Sequence, residues 1–183
     1  MKEHGILMSA SSILAYRDGR KTQTRRLAKR WLKVKKGDRF WFRETFAFIW
    51  PEWCEDGEVY SDEDEPRGRA IRRDECNIEY RADTDDQYPG NWPDRDTEYY
   101  NPDCPKWKPS IHMPRFAARY TPMVTADARL ERLWDMTGYD AIAEGVNSFA
   151  AYAGLWRSLH TKPGERWQDN PMVVVLQFEG VKG

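Results

Sequence analysis

Between Trp50 and Lys108 this chain changes character, and that change constrains its fold more than any other feature. Pro51, Pro66, Pro89, Pro93, Pro102 and Pro105 punctuate the stretch. Proline lacks an N–H and breaks helix interiors and central strands, so regular elements here must be short. Acids gather in the same place: residues 51–104 carry a net charge of -12, against +9 for residues 1–50 and +2 for residues 105–183. Such segregation suits a basic binding face with an acidic insert, or two segments that neutralise each other. Cys76–Ala82 reads as one strand and the remainder as long loops. Tyr80, Tyr88, Trp92, Tyr99, Tyr100 and Trp107 argue against full disorder, because disordered segments are poor in aromatic residues. The expected organisation is a single domain over residues 1–183 with a loop-rich acidic insertion over about 50–106.

The flanks carry the regular patterns. Ser9, Ser11 and Ser12 offer N-caps to a short helix through Ile13, Leu14 and Tyr16, and Gly19 suits its stop. Thr22–Leu27 reads as a strand with Thr22 and Thr24 on one face and Gln23 and Arg25 on the other. Lys29–Lys36 is a basic connector, Gly37-Asp38 a turn, and Arg39–Phe48 one aromatic strand. Met123–Leu133 alternates Val124, Ala126, Ala128 and Leu130 against polar neighbours, the pattern of a half-buried strand. Thr137 and Asp140 form a capping box for a short helix over Asp140–Glu144. Ser148 caps a second helix with an apolar stripe of Phe149, Tyr152, Ala153, Trp156 and Leu159. Pro171–Val181 reads as a buried strand with the apolar run Met172–Leu176. Several strands, short helices and no βαβ alternation predict an α+β fold, a small β-barrel decorated with helices.

Composition excludes some functions. No apolar run approaches the ~18 residues of a membrane span. The N-terminus carries no signal pattern, so a cytoplasmic protein without a membrane partner is expected. Cys54, Cys76 and Cys104 are odd in number and widely spaced, which suits a reducing compartment rather than a disulfide framework. A zinc site would need a further ligand such as His112, and no CxxC or HxxxH spacing supports one. No metal and no cofactor is expected. Composition leaves the oligomeric state open.

The residue types that carry chemistry concentrate in Gly19-Arg20-Lys21-Thr22-Gln23-Thr24-Arg25-Arg26. A threonine hydroxyl attacks a carbonyl only with a base beside it. A lysine serves as that base when burial or neighbouring positive charge lowers its pKa. Lys21 and Thr24 fit these roles, and Arg20, Arg25 and Arg26 supply part of that charge, which also suits a substrate oxyanion. The alternative is a solvated amine on an ordinary basic strand. Glu144 ends a helix just before a glycine, where an acid opposes the helix dipole at a cost of a few tenths of a kcal/mol. That cost points to a task other than stability, or to a solvated terminal acid. Arg43 and Glu44 point to opposite faces of a regular strand, so one of them faces inward and needs a partner. His112 and Arg115 sit in a proline-bracketed loop suited to ligand contact. Arginines interleaved with aromatics also suit a nucleobase ligand.

In order, Gly19-Arg20-Lys21-Thr22-x-Thr24-x-Arg26, Gly37-Asp38, Arg43-Glu44-Thr45, Asp140-Ala141-Ile142-Ala143-Glu144-Gly145 and a terminal strand resemble the ASCH domain of the PUA-like superfamily. The segment Trp107-Lys108-Pro109-Ser110-Ile111-His112-Met113-Pro114-Arg115 resembles its phage and prophage branch. The resemblance covers roughly residues 5–50 and 105–181. It implies a small PUA-like β-barrel with a cleft for RNA, nucleotides or nucleosides. Small bacterial members with this motif are amidohydrolases that remove the acetyl group from the exocyclic amine of cytidine. Their catalytic lysine, threonine and glutamate map onto Lys21, Thr24 and Glu144. Arg20, Arg25, Arg43, Glu44, His112 and Arg115 then become expected substrate contacts. Other members bind RNA or DNA without this hydrolysis, and some resemble ribonucleases. This chain departs from the hydrolases in its length and in its acidic insertion.

Overall fold

The computed structural model describes residues 1–49, 77–83 and 107–181. Cys54, Cys76, Cys104 and most of the acidic insertion lie outside the described residues. The elements run β1 (Glu3–Leu7), α1 (Ala10–Arg17), β2 (Gln23–Arg26), β3 (Arg39–Arg43), β4 (Phe46–Ile49), β5 (Asn77–Tyr80), β6 (Arg129–Arg132), α2 (Gly138–Ala143), α3 (Phe149–Leu159) and β7 (Met172–Gln177). Among the described residues this is a small α+β fold of seven strands and three α-helices. No described helix is long and apolar enough to cross a membrane. The chain divides into two compact units, Met1–Phe42 with Arg119–Gly183, and Arg43–Ala118.

Local signals explain most of the helices. Ser9 accepts the Ser12 N–H and caps α1. Gly19 follows at φ +73°, a left-handed turn that costs glycine nothing. Thr137 caps α2 in a reciprocal box with Asp140. Ser148 caps α3, whose Tyr152, Ala153 and Trp156 are buried with Leu133, Met136, Ala141, Trp167 and Val173. Phe149 and Leu159, expected in the same apolar stripe, are exposed.

In the first unit, β7 lies at the centre of a three-stranded antiparallel sheet ordered β2–β7–β6. Just past β7, Val124 bridges Phe178, and Met123 bridges Arg39 of β3, which in turn pairs with β1. The ladder therefore runs β2, β7, the 123–132 segment, β3, β1. It is open, which corrects the expectation of a closed barrel. At its two ends, the Arg26 side chain donates to the Leu7 carbonyl at 2.6 Å in place of a backbone ladder. The start of β2 is taken by α2 instead, with the Thr22 N–H donating to the Ala143 carbonyl at 2.9 Å.

The strand expected over Met123–Leu133 is interrupted. Asp127 leaves the ladder to accept the Lys36 N–H and the Lys35 Nζ. The interruption inverts the alternation: Val124 is 1% exposed, whereas Leu130, on the same face in an unbroken strand, is 42% exposed. Glu131 turns inward in its place.

In the second unit, β4 and β5 pair antiparallel, Phe46 opposite Tyr80, over a cluster of Phe46, Phe48, Met113 and Ala117. The single aromatic strand expected over Arg39–Phe48 breaks at Glu44 and Thr45. There the Glu44 N–H meets the Met113 sulfur at 3.2 Å, and the Thr45 carbonyl accepts the Arg81 N–H. The strand expected over Cys76–Ala82 is shorter, ending at Tyr80 before a 3-10 turn at Arg81–Asp83.

Candidate functional site

Lys21 is buried, 3% exposed, at the junction of α1, α2 and β2. Its N–H, like that of Arg20, donates to the Ala15 carbonyl at the end of α1. Its side chain runs to the end of α2, where Nζ donates to the Glu144 backbone carbonyl at 2.6 Å and lies 3.3 Å from Glu144 Oε2. Glu144 is the C-cap of α2 and is itself buried, 6% exposed. The reading of Lys21 and Glu144 as solvated surface groups is therefore set aside.

Gly145 makes this approach possible. It has φ +90°, and a Cβ there would stand 2.7 Å from Ala15 Cβ and 3.1 Å from Lys21 Cβ. Any side chain would push the end of α2 off the lysine.

Arg25 forms the second half of the cluster. Its Nη1 donates to Glu144 Oε1 at 3.1 Å, and its Nε and Nη2 donate to Glu131 Oε1 at 3.0 and 2.7 Å. Nη2 also lies 3.4 Å from Asp140 Oδ1. With its side chain fully enclosed by these carboxylates, Arg25 organises the site rather than facing a substrate. Gln23 donates to Asp140 Oδ1 at 3.1 Å from the same face of β2.

The electrostatics follow from burial. Burial pushes the Lys21 amine below its ordinary value; Glu144 opposes this, while the charges of Arg26 and Arg25 add to it. Burial also lowers Arg26. For Arg25 the surrounding acids, Glu144 foremost, outweigh burial and raise it. Burial works against ionised Asp140, but donors from Thr137 and Gln23, with the Arg25 charge nearby, bring its carboxyl down to about 2. Burial raises the Tyr152 phenol, with the Glu144 charge adding to the effect.

Thr24 is buried on β2 opposite Leu176, and strand alternation sets it on the other face from Gln23 and Arg25. Its hydroxyl takes part in no hydrogen bond among the described residues. Arg20 is exposed, with Nη1 on the Gly145 carbonyl and Nη2 on Asp18. The remaining expected contacts belong to the second unit. Arg43 donates to the Ile111 carbonyl, Glu44 is buried, and His112 and Arg115 are exposed on two 3-10 turns.

Lys21 and Glu144 thus meet, with Arg25 beside them. Glu131, Asp140 and Gln23 were not legible as parts of this cluster. Asp140 read as a helix cap, which it also is. Glu131 lay on the polar side of an alternation that the 126–128 interruption inverts. Among the described residues no group of three His, Cys, Asp or Glu side chains is arranged to hold a metal ion. A shallow depression of about 560 Å³ opens at the starts of α2 and α3 beside Tyr139, Ile142 and Phe149, and none of the expected site residues lines it. No family model, no curated protein and no solved structure matches this chain.

Proposed function

We propose that this chain is an ASCH-type hydrolase of the PUA-like superfamily that cleaves the acetyl amide of N4-acetylcytidine, giving cytidine and acetate. The observation that carries the reading is the buried Lys21 amine, lowered by desolvation and held at two oxygens of Glu144. A neutral amine has two N–H donors and one lone pair. The two donors match the two Glu144 oxygens, and the lone pair is left to accept a proton.

In this mechanism a water gives a proton to Lys21 while its oxygen bonds the acetyl carbonyl carbon; Thr24, set on the other face of β2 from Arg25, takes no part. The carbon–nitrogen bond breaks, and Lys21 returns the proton to the departing exocyclic amine. The acyl group leaves as acetate. Glu144 holds Lys21 throughout, and Arg20, exposed beside Gly145, is the substrate contact proposed in this unit.

Purified protein incubated with N4-acetylcytidine should release cytidine. Lys21→Met should reduce the rate by about 10²-fold or more. Absence of turnover in the wild-type chain, or full turnover in Lys21→Met, refutes the reading. Thr24→Ala should leave the rate unchanged, and loss of activity in that variant would overturn this route.

A second reading, a module that grips RNA or DNA, draws on one observation. Lys29, Arg30, Lys33, Lys35 and Lys36 are exposed along the segment after β2, and of these Lys35 pairs with Asp127. Counterion release would make such binding fall steeply with salt. Binding indifferent to salt and to Arg30→Ala removes this reading.

A further inference from the structure

Arg25 is anchored less by Glu144 than by an acid two strands away. It pairs with Val175 of β7, and Val175 pairs with Arg129 of β6. From β2 its side chain reaches across the sheet to Glu131 on β6, where Nε and Nη2 converge on a single oxygen. Two N–H groups tied to one carboxylate orient a planar guanidinium, and the direction of its remaining amino group follows. That group, Nη1, meets Glu144 Oε1 at 3.1 Å, which leaves Oε2 facing Lys21 Nζ at 3.3 Å. Glu131 is 17% exposed at its side chain, Arg25 is not exposed at all, and both remain within the first unit.

We infer that Glu131 is a positioning residue of this site: it locks Arg25 from β6, and through Arg25 it sets the Glu144 carboxylate against the Lys21 amine. The inference rests on the proposed hydrolysis for what the pair does to a substrate, and on geometry alone for the linkage. Without the Glu131 charge, Arg25 keeps only Glu144 and Asp140 as acids, so Glu144 is drawn toward it and off Lys21. Loss of a negative charge acts in the same direction. Both weaken support for the Lys21 ammonium. The other groups that act on Lys21 are Arg26 and Arg25 of β2 and Glu144 at the end of α2, with Tyr152 of α3 near Glu144. None of these is changed by substituting Glu131.

The test is a titration of the lysine side-chain carbons by NMR in the full chain, with the Lys21 signal assigned by its loss in Lys21→Met. Glu131→Gln should lower the Lys21 midpoint by about one pH unit. Glu131→Asp keeps the charge but shortens its reach, and should lower the midpoint by less. An unmoved midpoint in folded Glu131→Gln overturns the inference. Should that variant fail to fold, an unmoved midpoint in Glu131→Asp does so. The readout needs no substrate. A shifted midpoint without hydrolysis of N4-acetylcytidine leaves the positioning role standing and removes the hydrolase reading, whereas hydrolysis with an unmoved midpoint does the reverse.

Discussion

Strands β2 and β7 lie side by side in one sheet, paired from Gln23 opposite Gln177 to Arg26 opposite Val174. Both bury their residues, but with opposite chemistry. β7 buries Val173, Val174, Val175 and Leu176, while β2 and the residue leading into it bury Lys21, Gln23, Thr24 and Arg25. Each valine or leucine gains about 1.5–3 kcal/mol from leaving water. Each buried charge on β2 loses its hydration and is kept only because Glu144, Glu131 and Asp140 surround it. Apolar packing would serve a stable sheet as well or better. The difference between the two neighbours is therefore the strongest physical mark of a working site in this molecule.

The largest effect should come from opening the ionic cluster. Glu144→Ala strips Lys21 of its carboxylate and leaves Arg25 with Glu131 and Asp140 alone, and chemical denaturation should show a loss of about 3–5 kcal/mol. A loss below about 1 kcal/mol would mean that water already neutralises the cluster, and the contrast with β7 would collapse.

Next comes the apolar strand. Leu176→Ala, opposite Thr24, should cost about 3 kcal/mol through lost burial and the cavity left behind. If β7 does nothing but pack, the proposed hydrolysis, measured per folded molecule, should stay at the wild-type level. Loss of activity at full folding would extend the site to β7.

Lys21→Met should reverse the usual trade. Glu144 keeps Arg25 as its partner, and an apolar side chain replaces a desolvated amine, so stability should hold or rise by about 1 kcal/mol. The pH dependence follows the same logic. The folded-state pKa of Lys21 lies below its unfolded value of about 10.4, so folding favours the neutral amine. That contribution to stability is full above the unfolded value and is lost as pH falls through the folded one. Between the two, the wild type should gain stability on Lys21→Met as pH rises. A difference between the two chains that does not vary over that range would show an unperturbed lysine.

The smallest expected effect is at the cap that holds Asp140 in place. Thr137→Ala removes the side chain that accepts the Asp140 N–H, for about 1 kcal/mol. Thermal unfolding should report it, with the Lys21 midpoint nearly unchanged. A large midpoint shift would show that α2 sets the site through its whole length.

Short-range signals carried much of the fold. Ser9, Thr137 and Ser148 cap helices because a hydroxyl satisfies an open N–H within three residues, a relation written in the chain itself. The valine run of β7 declared its burial for the same local reason. The breaks at Glu44-Thr45 and at 126–128 were not visible, since each depends on a partner far along the chain: Met113 and Arg81 in one case, Lys35 and Lys36 in the other.

By itself the sequence determined that a lysine, a threonine and two arginines enter one short strand, and that an acid and a glycine close α2. Whether they were surface charges or a cluster could not be read from it, because hydrophobic patterning assigns charged residues to solvent. Only the tertiary structure decided that, by bringing residues more than a hundred positions apart within about 3 Å, where burial lowers the lysine and Glu131 holds the arginine that holds the glutamate.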